Sequence, residues 1–167
     1  MGKTCAFLGN DCKLDMTDSL RNLVFQNIVN LINNEGVGLF YVGGRGAYEQ
    51  LAYSGVLRAK KLYPNIKVYF VMSSRTDLYN HSRDFDDFLY PVKAELGYKR
   101  WCIVHRNNLI AENTDFLICY NRYEGHAFPF CRKAKNRGVK VIELADIIEK
   151  SEVISENNVS LNFMEIR

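Results

Sequence analysis

No CxxC pair occurs among the five cysteines, Cys5, Cys12, Cys102, Cys119 and Cys131, and their odd number argues against a complete disulfide framework. No apolar run approaches the ~18–20 residues that a membrane helix needs. Neither sign of charge dominates: 22 Lys and Arg against 19 Asp and Glu leave +3, too little and too dispersed to point to nucleic acid. The first residues, Met1-Gly2-Lys3-Thr4-Cys5, run into a strand-like stretch with no secretory hydrophobic region, and Ala6 stands where a myristoylation motif needs Ser or Thr. His81, His105 and His126 lack ligand spacing among themselves or with cysteine, so neither a metal nor a cofactor is expected. There is no Gly-x-Ser-x-Gly elbow, and no cysteine is placed beside a histidine as a nucleophile would be. A soluble, cytoplasmic protein is expected, with no membrane partner and no nucleic acid.

What is present is ordinary globular material. The 167 residues are 47% hydrophobic and 25% charged, enough for one domain with its own core. Short apolar runs at Thr4–Leu8, Val37–Val42, Val68–Met72, Phe116–Tyr120 and Val139–Leu144 read as strands, too continuously apolar for a sheet covered on one side. Helical spacing predicts helices over about Asp18–Asn34, Ala47–Leu62, Val104–Asn113 and Ala127–Arg137. Thr17 or Asp15 can cap the first, Gly36 suits its left-handed end, and Pro64 stops the second. Strands alternating with helices predict an α/β, Rossmann-like three-layer sandwich with a mostly parallel sheet over residues 1–150. The segment Ser73–Arg100, with Tyr79, His81, Phe85, Phe88, Tyr90 and Tyr98, is either a functional lid or an insertion with a satellite core. Residues 151–167 form a tail whose Val159, Leu161 and Phe163 alternate like an edge strand or an oligomer arm.

Ligands of open α/β sheets bind beyond the carboxyl ends of the strands, where helix starts present free N–H groups. Three loops qualify. After the first strand come Gly9, Asn10 and Asp11, a plain turn or a place for backbone and amide to meet a ligand. After the second come Gly43, Gly44, Arg45 and Gly46, a nest that can cradle phosphate, with Arg45 adding a cationic fork. The loop is neither a Walker loop nor a dinucleotide fingerprint. Glu49 follows, explained equally by helix capping and by contact with a ribose. The third loop holds Asn121, Arg122, Tyr123, Glu124, Gly125 and His126, and Tyr120 and Tyr123 can stack on a base. Upstream, Arg106 and Asn107 open the predicted third helix. A cation there opposes the helix dipole, so it needs an anionic ligand or a salt bridge to Asp84, Asp86 or Asp87. Asp84–Asp87 is itself either a solvated acidic loop or a divalent-ion contact.

Phe7-Leu8-Gly9, the run Phe40–Glu49, His105–Ile110, and Asp115–Tyr120 with Glu124–Ala127 resemble the SLOG superfamily in order and spacing, over roughly Lys3 to Leu144. This Rossmann-like group includes the Lonely Guy phosphoribohydrolases and DNA-processing protein A, and the chain looks most like its short bacterial and phage members. The resemblance implies a site for a nucleotide or nucleotide-derived molecule at the carboxyl end of the sheet, and a homo-oligomer. Arg106 matches the arginine of the phosphoribohydrolases. Their glutamate has no match, because Asn121–Pro129 lacks the Pro-Gly-Gly-x-Gly-Thr loop and offers Phe128-Pro129 instead. Where short members carry Gly-His, this chain reads Gly9-Asn10. The expectation is therefore a binder of a nucleotide signal, such as a cyclic ADP-ribose-type molecule, acting as sensor or sequestering protein. The alternative is a phosphoribohydrolase-like enzyme using Arg106 with Glu49 or Glu124 to cleave an N-glycosidic bond.

Overall fold

The computed structural model describes residues 2–10, 17–43, 46–73, 85–91, 99–121 and 125–150. Six strands form one sheet in the order β4-β3-β2-β1-β5-β6, and every pairing is parallel. They are β1 (Lys3–Gly9), β2 (Val37–Val42), β3 (Lys67–Val71), β4 (Asp87–Leu89), β5 (Phe116–Tyr120) and β6 (Lys140–Glu143). The helices are α1 (Asp18–Asn30), α2 (Ala47–Leu62), α3 (Lys99–Glu112), α4 (Phe128–Asn136) and α5 (residues 144–150).

Alternation along the central strands builds two cores. Cys5 and Phe7 of β1, with Phe116 and Ile118 of β5, pack under α1, α2 and Leu144. Ala6, Leu8, Leu117 and Cys119 face the other way, toward Ile110 of α3 and Cys131 of α4. The strand order explains the split. The chain runs outward from β1 to β4 and then returns to β5 on the far side of β1. Right-handed crossovers place helices on one face during the first leg and on the other after the reversal. The result is an α/β three-layer sandwich of the Rossmann-like kind. Among the described residues no helix is long and apolar enough to cross a membrane.

Local chemistry sets the helix ends. Thr17 caps α1, its hydroxyl accepting from Leu20 N at 3.2 Å. Asn27, the polar break in the apolar face of α1, turns its amide back to Leu23 O at 2.9 Å. The helix ends earlier than its periodicity predicts: Leu31–Glu35 is a π-helical turn, closed by Gly36 at φ 72°. That turn carries Glu35 to Lys3 and Lys140, whose ammonium groups hold its carboxyl below the usual carboxylate range.

The segment Ser73–Arg100 contains a strand that its sequence does not announce. β4 is only three residues long, yet it pairs with β3 from Tyr69–Asp87 to Val71–Leu89. Asp86 seats it, donating its backbone N–H to Val68 O and accepting from Val68 N through its carboxylate, which also meets Lys60. Phe85 stacks on Tyr53 and packs against Phe70, each at 4.9 Å between centroids, and Tyr90 joins the same core. These aromatics extend the main core instead of forming a satellite core of their own. Tyr79, His81 and Tyr98 lie outside the described residues, as does the tail 151–167.

Candidate functional site

At the carboxyl edge, β1 ends in Gly9 and Asn10 beside the end of β5. Between these two strands the winding direction reverses, which opens the crevice that such folds use for ligands. Asn10 ties the crevice together. Its backbone N–H donates to Tyr120 O at 3.1 Å, and its side-chain Oδ1 accepts from Ala127 N, at the mouth of α4, also at 3.1 Å. Gly125 is required under it, because a Cβ at that position would stand 2.6 Å from Asn10 Oδ1.

Gly9 serves a similar close approach. A Cβ there would lie 2.7 Å from Cγ of Tyr48, whose ring is fully buried. Tyr48 donates its hydroxyl to Ile118 O at 3.1 Å and stacks on Tyr120 at 6.0 Å. Burial pushes the Tyr48 phenol well above its ordinary value, so it stays a donor. Tyr120, expected as a stacking platform for a base, thus lies inward against Tyr48 and is buried.

The second loop holds the strongest electrostatic feature. Glu49, on the first turn of α2, and Arg106, from α3, are 7% and 4% exposed and meet in a bidentate ion pair. Arg106 Nη1 donates to Glu49 Oε2 at 3.1 Å, and Nη2 donates to Oε1. Nε and Nη2 also reach Asn107 Oδ1, at 3.2 and 3.0 Å. The pair lies against Gly43, where a Cβ would be 2.6 Å from Glu49 Oε2 and 2.9 Å from Arg106 Nη1. Because α2 and α3 belong to opposite layers, the pair clasps them across the end of β2.

Two expectations change here. α3 starts at Lys99, not near Val104, so Arg106 stands inside the helix and does not oppose the dipole of its first turn. Among the described residues its salt-bridge partner is Glu49, not Asp86 or Asp87. Asp86 is engaged by Lys60 and Val68 N, Asp87 accepts from Phe88 N at 2.8 Å, and Asp84 lies outside the described residues. The glycines are also filled differently: the space at Gly9, Gly43 and Gly125 is taken by Tyr48, Glu49 with Arg106, and Asn10. Gly46 is the N-cap of α2, and its carbonyl accepts from Gln50 N. His126 is exposed at the mouth of α4. Gly44, Arg45, Arg122, Tyr123 and Glu124 lie outside the described residues.

Ser73 and Glu143 were not anticipated. Ser73, 2% exposed, follows β3 on the same edge. Glu143, the last residue of β6, receives Asn121 N at 2.8 Å and Asn121 Nδ2 at 3.0 Å, which orients the third loop at its first residue. A single charged residue at the end of a strand carries no local signal of that role. Burial raises the Glu143 carboxyl above its ordinary 4.5, against the hydrogen bonds from Asn121. The folded form then binds more protons than the unfolded form just above pH 4.5, so this group's contribution to stability falls as pH rises through its folded value. In Glu143→Gln that falling limb is expected to disappear from urea midpoints measured between pH 4 and 8. An unchanged pH profile would refute the assignment.

A cavity of about 360 Å³ opens at the opposite, amino-terminal edge, lined by Lys3, Asp115, Phe116, Arg137 and Lys140 among others. Lys3 and Lys140 are already paired to Glu35, and Asp115 accepts from Thr4 N, so these charges are engaged within the fold. Among the described residues, no group of three His, Cys, Asp or Glu side chains could hold a metal ion. Comparison with protein-family models and with curated proteins finds no match for this chain.

Proposed function

We propose that the protein binds a nucleotide or nucleotide-derived signal, of the cyclic ADP-ribose type, in the crevice at the carboxyl edge, as a sensor or sequestering protein. The observation that carries this reading is the buried Glu49–Arg106 pair at Gly43. A buried ion pair contributes little net stability once both charges have lost their water. Its presence on the edge where α/β sheets take ligands supports a role in shaping a site. The buried amide oxygen of Asn121, which accepts no hydrogen bond among the described residues, adds an acceptor of the kind a base or a ribose requires. The similarity to SLOG proteins supports the same ligand class.

Titration calorimetry with ADP-ribose and adenosine monophosphate tests it. The wild type is expected to bind one of the two. Gly125→Val, which displaces Asn10, is expected to weaken that binding by roughly 2- to 13-fold, the value of one neutral hydrogen bond of about 0.5–1.5 kcal/mol. Absence of binding to both, or equal binding by the variant, would place the ligand elsewhere.

The hydrolase reading keeps one specific support, since Glu49 and Arg106 bring a carboxylate and the matched arginine together. We expect no release of base from adenosine or guanosine monophosphate. Turnover of about 1 per second or more, abolished by Glu49→Gln, would establish the enzyme instead. We also propose a homo-oligomer built through the flanking helices, on the ground that α3 exposes Trp101 and Ile103, each close to half. A light-scattering mass of one chain at micromolar concentration would rule it out.

A further inference from the structure

Cys119 of β5 and Cys131 of α4 are buried in the same core, 0% and 6% exposed, with their sulfurs 2.7 Å apart. That is inside van der Waals contact, and only a fraction of an ångström separates them from a bond of about 2.05 Å. Both are free thiols. Cys131 also accepts from Asn121 Nδ2 at 3.2 Å, which links the pair to the first residue of the third edge loop. We propose that Cys119 and Cys131 are a peroxide-oxidisable pair that closes to an intramolecular disulfide, joining the end of β5 to α4 around residues 121–127.

The chemistry balances with hydrogen peroxide as the named oxidant. The Cys131 sulfur, the less buried of the two, attacks one peroxide oxygen. An S–O bond forms, the O–O bond breaks, and the thiol proton leaves with the other oxygen as water. Cys131 is then a sulfenic acid, oxidised by two electrons while the peroxide is reduced. The Cys119 sulfur displaces the hydroxyl, the S–S bond forms as S–O breaks, and the Cys119 proton completes a second water. Burial pushes the Cys119 thiol up, so its proton leaves as its sulfur attacks in this second step. Two thiols and one peroxide give one disulfide and two waters. Glu143, held by Asn121, also acts on Cys119 and raises its thiol further.

The bond would tie a 12-residue span at both ends. Asn121, Gly125 and His126 lie within that span, and the loop they belong to is already held by Glu143 at Asn121 and by Asn10 at Ala127.

The test is peroxide treatment of the purified full chain, then alkylation, intact mass and peptide mapping. The expected result is a loss of about 2 Da, the two thiol hydrogens, and one cross-linked peptide joining Cys119 to Cys131. Cys119→Ser is expected to stop at the Cys131 sulfenic acid, which dimedone traps. Cys131→Ser is expected to show neither product. A wild-type map in which Cys119 and Cys131 are both alkylated after peroxide treatment overturns the proposal, and so does a 2 Da loss that survives Cys131→Ser. The wild-type map needs no variant to fold.

Discussion

Arg106→Ala is expected to lower the unfolding free energy by about 3–5 kcal/mol, because it leaves the Glu49 carboxylate buried with no compensating charge. The mechanism separates this loss from simple truncation. Glu49 sits against Gly43, with 7% of its surface exposed, so water cannot take over the role of the guanidinium. Removing both charges together, as in Glu49→Leu with Arg106→Met, is expected to be milder than the single change, since no unpaired ion remains. Urea denaturation of the two single variants and the double variant measures the coupling. A single variant within about 1 kcal/mol of wild type would mean that the clasp between α2 and α3 does not form as described. Arg106 is thus better cast as the residue that positions Glu49 than as a direct anion contact.

Gly9→Ala is expected to cost about 2–4 kcal/mol, from overpacking and a lost buried hydrogen bond. Its Cβ would enter the ring of Tyr48, which cannot retreat: its other contacts are the Tyr120 ring and, through its hydroxyl, Ile118 O. Gly9 is therefore required for space and not for a left-handed backbone. Gly9→Ala in a Tyr48→Leu background is expected to cost clearly less, because the ring that receives the methyl is gone. Equal costs in the two backgrounds, read from denaturation midpoints, would contradict this account.

Much of the fold was legible in the chain. The runs Val37–Val42 and Phe116–Tyr120 and the helix Ala47–Leu62 appear in the structure with the bounds their patterns predict. Each is long, continuously apolar or strictly periodic, and each is closed by a turn or a proline. The edge loops were legible as well, since a glycine after a parallel strand reports a close approach wherever it stands.

What approaches those glycines was not legible. Glu49 and Arg106 are 57 residues apart, and Asn10 and Ala127 are 117 apart. β4 is likewise too short to announce itself and is held by Asp86 and by Phe85 against residues of β3 and α2. The start of α3 was missed because its exposed Trp101 and Ile103 do not follow the periodicity of an amphipathic helix. The sequence by itself determined the α/β alternation, because strand and helix periods are local properties of the chain. Only the tertiary structure decided that Arg106 belongs to Glu49, Tyr48 to Gly9 and Cys119 to Cys131, because such pairings depend on where the crossovers bring distant segments together.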